Sequence, residues 1–99
     1  MKRVLLVTSR LAQEVVRNVV SSAVKEGKIN YDVDIITLPT DVAALMTTDY
    51  IAEYLRRLGI SLNNYVVIIV PGLVRGSCRV IEEVVGIRAV KGTTYATDI

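Results

Sequence analysis

Residues 66–70 read VVIIV, five β-branched residues with no polar side chain among them, and Pro71-Gly72 follows at once. A short apolar run of this kind, bounded by breakers, is the mark of a strand buried on both faces in the middle of a parallel sheet. Proline cannot donate to the ladder, and glycine admits dihedrals that other residues avoid, so the strand must end there. Arg75, Gly76 and the start of a helix come next. Strand, tight corner, cation and helix start make the rim of many anion and nucleotide sites. The same succession also ends any strand in an α/β domain, so it specifies fold more firmly than chemistry.

The chain has 99 residues, which fits one domain, and is 52% hydrophobic and 22% charged, which fits a globule and not a disordered segment. Its longest apolar run is strand-sized, and Arg10, Gln13 and Glu14 soon interrupt the apolar start, so neither a membrane span nor a secretory leader is expected. Twelve basic and ten acidic residues leave a net charge of +2 with few aromatics, which gives no argument for nucleic acid. The single Cys78 cannot form an intrachain disulfide, so a cytoplasmic setting is expected. Histidine is absent, which removes the commonest general base and metal ligand. Heavy use of Val, Ile and Arg without Phe, Trp or His is compatible with a thermophilic source.

Residues 3–8 (RVLLVT) read as the first strand. Leu11, Val15, Val16, Val19, Val20, Ala23 and Val24 then recur at helical spacing, with Thr8 or Ser9 as cap and Gly27 as the residue beyond the helix. Residues 32–38 (DVDIITL) form a second strand; Asp32 and Asp34 place it at an edge with one wetter face. Thr40-Asp41 offers a cap to a short turn over 42–46. Thr47, Thr48 and Asp49 open a helix that buries Ile51, Leu55 and Leu58 and closes at Gly59. Ser77 or Gly76 caps the next helix, with Val80, Ile81, Val84 and Val85 inward, Arg79, Glu82 and Glu83 outward, and Gly86 at its end. Residues 88–91 make a short fourth strand, 92–94 a turn, and 95–99 the opening of a further helix.

This alternation predicts a single Rossmann-like or flavodoxin-like α/β domain over residues 1–99. It is a three-layer open parallel sheet of four strands, order 2-1-3-4, with helices on both faces. The winding reverses between the first and third strands, and ligands in such sheets sit outside the carboxyl ends at that reversal. The candidate ligand-binding residues on this edge are therefore Ser9, Arg10, Asp41, Pro71, Gly72, Arg75, Gly76, Lys91 and Gly92.

The segments Arg3-Val-Leu-Leu-Val-Thr with Arg10-Leu11-Ala12, Leu38-Pro39-x-Asp41-Val42-Ala43, Val70-Pro71-Gly72-Leu73 with Gly76, Ile81-Glu82 and Lys91-Gly92 span nearly the whole chain. In this order they resemble the N-terminal domain of the archaeal dihydropteroate synthase-like (pterin-binding) proteins. The resemblance implies a Rossmann-like unit preceding a pterin-binding barrel, and hence a longer native chain. The chain departs from that pattern at Ser77-Cys78, where an acid is expected after Gly76, and at Thr93-Thr94-Tyr95, where a histidine is expected.

Arg10, Arg75 and Lys91 read either as a basic ring for a phosphate or carboxylate or as solvated loop cations. Asp41 reads as a helix N-cap or as a ligand for a ribose, a pterin amine or a metal. Pro71-Gly72 and Gly76 serve the turn, the ligand or both. Cys78 is read as inert packing and Glu82-Glu83 as a solvated face, while Arg56-Arg57 suits the negative end of a helix dipole. No G-x-G-x-x-G follows the first strand and there is no Walker sequence, so no cofactor is expected. The functional expectation is a non-catalytic accessory domain of a dihydropteroate synthase-like protein. It would bind a small anionic or pterin-type ligand or dock onto the barrel of the same chain. The alternative is a self-standing module for homo-oligomerisation or interaction, without ligand.

Overall fold

The computed structural model describes residues 3–27, 32–58 and 64–92. Four parallel strands form one sheet in the order β2-β1-β3-β4: β1 (Arg3–Thr8), β2 (Asp32–Thr37), β3 (Tyr65–Val70) and β4 (Ala89–Lys91). Three helices connect them, α1 (Gln13–Lys25), α2 (Thr48–Leu58) and α3 (Cys78–Val85), and a 3-10 turn (Ala43–Leu45) precedes α2. The open parallel α/β architecture and the strand order are those the sequence predicts. The expected closing glycine Gly59, and the elements expected over 93–99, lie outside the described residues. No helix among the described residues is long and apolar enough to cross a membrane.

The core lies on one face of the sheet. Leu5 and Val7 of β1, Ile68 and Val70 of β3 and Ala89 of β4 meet Ile51, Ala52 and Leu55 of α2 and Ile81 of α3. Val4 and Leu6, which alternate to the other face, are also buried, beneath the side that carries α1. Cover there is thinner. Of the valine stripe on α1 only Val16 is buried, and Val15 and Val24 are exposed.

The central strand departs from the expectation of burial on both faces. Only Ile68 and Val70 are buried, and Val66 is 49% exposed. The register between β1 and β3 slips after Arg3: Arg3 pairs with Tyr65, yet Val4 pairs with Val67. Val66 is the extra residue of that irregularity, so it loses its place in the alternation. The slip leaves Tyr65 and Ile68 on one face, where Tyr65 joins a cluster at the amino end. Its hydroxyl donates to Asp34 Oδ2 at 2.6 Å, Arg3 Nη2 donates to the same oxygen at 2.6 Å, and the Arg3 guanidinium lies 5.6 Å from the Tyr65 ring centre. Burial, and then the bond to Asp34, push the Tyr65 phenol above its ordinary value, so it remains a donor. Asp34 lies on the edge strand that the sequence predicts, but its carboxylate is not left to open water: it is tied twice.

Helix boundaries follow local capping except at α1. Thr47 Oγ1 accepts from Tyr50 N at 3.1 Å and Ser77 Oγ from Arg79 N at 3.2 Å, as their positions predict. Gly86 closes α3 and Gly27 follows α1, both in the left-handed region. Neither Thr8 nor Ser9 caps α1. Both are buried, and the helix starts only at Gln13, after Ala12 and without a side-chain cap. Two further side chains depart from expectation on α3: Val84 is exposed, and Glu82 turns inward to accept from Ala89 N at 3.0 Å, satisfying the first amide of β4. The expected outward pair Glu82-Glu83 is thus split.

On α2, Glu53 accepts from Arg56 Nη2 at 2.6 Å and from Arg57 Nε at 2.9 Å. These bonds lower the Glu53 pKa from 4.5 to about 2. The folded form binds its proton later than the unfolded chain does. The stabilisation is therefore present above about pH 4.5 and is lost as pH falls towards 2. Stability measured by urea unfolding over this interval is expected to fall more steeply for the native chain than for Glu53→Gln. Identical slopes would mean that the two ion pairs do not persist in solution.

Candidate functional site

The edge at the carboxyl ends of the strands is built around the connection from β2 to α2. Leu38 and Met46 are fully buried and anchor the two ends of this connection, while residues 39–45 run across the end of β1. Over β1 it is held by Arg10 N to Thr40 O at 2.9 Å and Leu11 N to Asp41 O at 3.1 Å. Over β3 it is held by Arg75 N to Met46 O at 3.1 Å and Thr48 N to Arg75 O at 2.8 Å, and Thr47 and Arg75 form an isolated parallel bridge. The loops after β1 and β3, on either side of the predicted reversal of winding, are therefore both tied to a third segment that spans them.

The predicted basic ring is only partly free. Arg10 Nη2 lies 3.1 Å from Asp41 Oδ1, and both side chains are more than half exposed. Such an exposed pair contributes at most about 1 kcal/mol, so an incoming anion displaces Asp41 from Arg10 at modest cost. Asp41 is thus neither the cap of an α-helix nor an uncommitted carboxylate. Among the described residues the side chains of Arg75, Arg79 and Lys91 have no hydrogen-bond or ion-pair partner. Helix α3 begins on this edge, and its first turn holds Arg79 and no acid. A cation there opposes the helix dipole, which adds to the positive field.

The remaining candidates divide cleanly. Ser9 is buried beneath the surface of the edge. Pro71 O accepts from Val74 N at 3.1 Å and so closes a turn, whereas Gly92 N donates to Val70 O at 2.7 Å and so extends the pairing of β4 with β3. Gly72 lies beside Pro71, half-buried. Gly76 has φ 104°, and a Cβ there would collide with the Thr48 hydroxyl, so its role is the close approach of this loop to α2. The Cys78 thiol is pushed up chiefly by burial, with Lys91 opposing and Glu82 adding to the rise, so it stays protonated. That agrees with the inert reading.

A feature of this edge that the choice of candidate ligand-binding residues did not single out is its exposed apolar side chains. Leu11 and Leu45 are each 71% exposed, Leu73 53% and Val42 39%. Their signal in the sequence is faint: large aliphatic residues in the connections between strands and helices, where polar ones are usual.

A family described as "Family of unknown function (DUF6513)" matches residues 2–94. The chain belongs to the DUF6513 family. No curated protein and no solved structure matches it. The DUF6513 match begins just before β1 and runs past Gly92, so all the connections that form the carboxyl edge fall within it.

Proposed function

We propose that this DUF6513 domain is a non-catalytic accessory domain that recognises a small anionic or pterin-type ligand at the carboxyl edge of its sheet. We place it within a protein of the dihydropteroate synthase-like kind. The observation that carries the reading is the pair of cations Arg75, in the loop after β3, and Lys91, at the end of the neighbouring β4, both unpaired among the described residues. Arg10, in the loop after β1 on the same edge, is held in a weak, displaceable ion pair with Asp41. Three segments of the resemblance, Leu38-Pro39-x-Asp41, Val70-Pro71-Gly72-Leu73 and Lys91-Gly92, end β2, β3 and β4 on this same edge. Catalysis has little support: the chain has no histidine, the Cys78 thiol stays protonated, and Asp41 is engaged by Arg10.

Thermal unfolding with added ligand tests this. Inorganic phosphate or pterin-6-carboxylate, at about 100 times its Kd, stabilises the folded state by about 2.7 kcal/mol. For a domain of this size that is roughly 10 °C or more in Tm. Arg75→Ala is expected to weaken binding about 10-fold or more, the loss of one charged hydrogen bond. A Tm that does not move with either ligand, or that moves equally in Arg75→Ala, rules the reading out.

A further inference from the structure

We infer that the carboxyl edge also carries a protein-docking surface, the row Leu11, Val42, Leu45 and Leu73, which takes a partner protein face that is apolar at its centre and acidic at its rim. The row is assembled by backbone hydrogen bonds between distant segments and not by sequence. Leu45 N donates to Val42 O at 3.1 Å, and in a 3-10 turn side chains three apart eclipse, so Val42 and Leu45 leave the turn on one side. Leu11 N is bonded to Asp41 O, which sets Leu11 beside Val42. At the other end Arg75 N is bonded to Met46 O, which brings Leu73, two residues before Arg75, next to Leu45. The buried anchors Leu38 and Met46 and the bonds to both neighbouring loops hold the turn out in water instead of letting it fold inward. A contiguous apolar strip held rigidly in solvent marks an interaction surface.

Charge selects the occupant. Arg75, two residues beyond Leu73, and Arg79 and Lys91, at the start of α3 and the end of β4 on the same edge, have no ion-pair partners among the described residues. A second copy offers the same three unpaired cations against Asp49 as the unpaired acid of this edge, so like-charge repulsion outweighs pairing in a self-contact. Asp41 and exposed Asp49 lie on the same edge. They interrupt the positive charge, which suits the discrete acids of a protein rim better than a uniformly anionic bilayer. The inference stands independently of ligand binding by Arg75.

A photo-crosslinking residue at position 45 tests it, with position 84 as control, because Val84 is exposed on α3. The chain is irradiated in an extract of the source organism. The captured protein is identified, purified and titrated calorimetrically against the wild type, Leu45→Asp and Arg75→Glu. The expected result is capture from position 45 and not 84, a Kd weakened at least 30-fold by Leu45→Asp, and affinity that falls with salt and with Arg75→Glu. Leu45→Asp should fold normally and keep any phosphate-induced rise in Tm, which separates this surface from the anion site. Equal binding of Leu45→Asp, capture of a second copy alone, or no capture above the control overturns the inference. So does sedimentation with phosphatidylserine–phosphatidylcholine vesicles in the absence of any captured protein.

Discussion

Gly76→Ala is expected to destabilise the domain by roughly 2–5 kcal/mol, from a left-handed backbone costing about 1–2 and a forced contact costing about 1–3. Gly76 has φ 104°, and the nearest atom to an added Cβ is the Thr48 hydroxyl oxygen, with Thr48 Cβ and Cγ2 close behind. Thr48 is buried and β-branched, so rotating it exchanges the oxygen for a methyl group without clearing the space. Urea unfolding of Gly76→Ala, Thr48→Ala and the double variant separates the two contributions. Thr48→Ala should recover the contact but not the backbone strain, leaving a coupling energy of about 1 kcal/mol or more. Unchanged stability of Gly76→Ala would show that this loop does not approach α2 as closely as described. Arg75 is the adjacent residue and is bonded to both Met46 and Thr48, so the same substitution should blunt any stabilisation by phosphate.

What the residues disclose of this fold is chiefly what depends on near neighbours. Caps at Thr47 and Ser77 and left-handed glycines at Gly27 and Gly86 are local, and each falls where its neighbours predict. The strand order is legible too, because right-handed crossovers leave few arrangements for this succession of elements. Burial is less so. A run such as residues 66–70 reports that the strand is apolar, not that something covers both of its faces. Here the slip after Arg3 and the thin cover by α1 leave Val66 exposed.

The candidate site was legible as an edge and only partly as a set of groups. The parallel pairing of β1 with β3 puts Arg10 and Arg75 on one rim, as expected. The partnership of Arg10 with Asp41 depends on how the loops after β1 and β2 lie, although neighbouring strands with opposite charges just beyond their ends hint at it. The crossing of residues 39–45 over β1 is set by two buried anchors and backbone bonds to distant loops. Nothing in residues 42–45 alone distinguishes an exposed strip from a core turn, which is why the apolar row is absent from the candidate ligand-binding residues.

Leu5→Ala is expected to cost about 3–5 kcal/mol, the upper part of the range for truncating a core leucine. Leu5 is fully buried on β1, the strand hydrogen-bonded on both sides, and belongs to the cluster that joins β1 and β3 to α2 and α3. Its neighbours in the ladder, Asp34 and Ile68, are fixed by their own strands, so the walls of the void have little freedom to collapse. For a domain of this length the loss should lower Tm by roughly 12 °C or more. Val15→Ala on α1 is the comparison: that side chain is about half exposed, and its removal should stay within about 0.5 kcal/mol. The contrast tests where the stability resides, because the notional stripe on α1 and the run in β1 look equally apolar as sequence. If Val15→Ala costs as much as Leu5→Ala, the face under α1 is a second core of equal weight. The one-sided packing that leaves Val66 exposed would then be wrong.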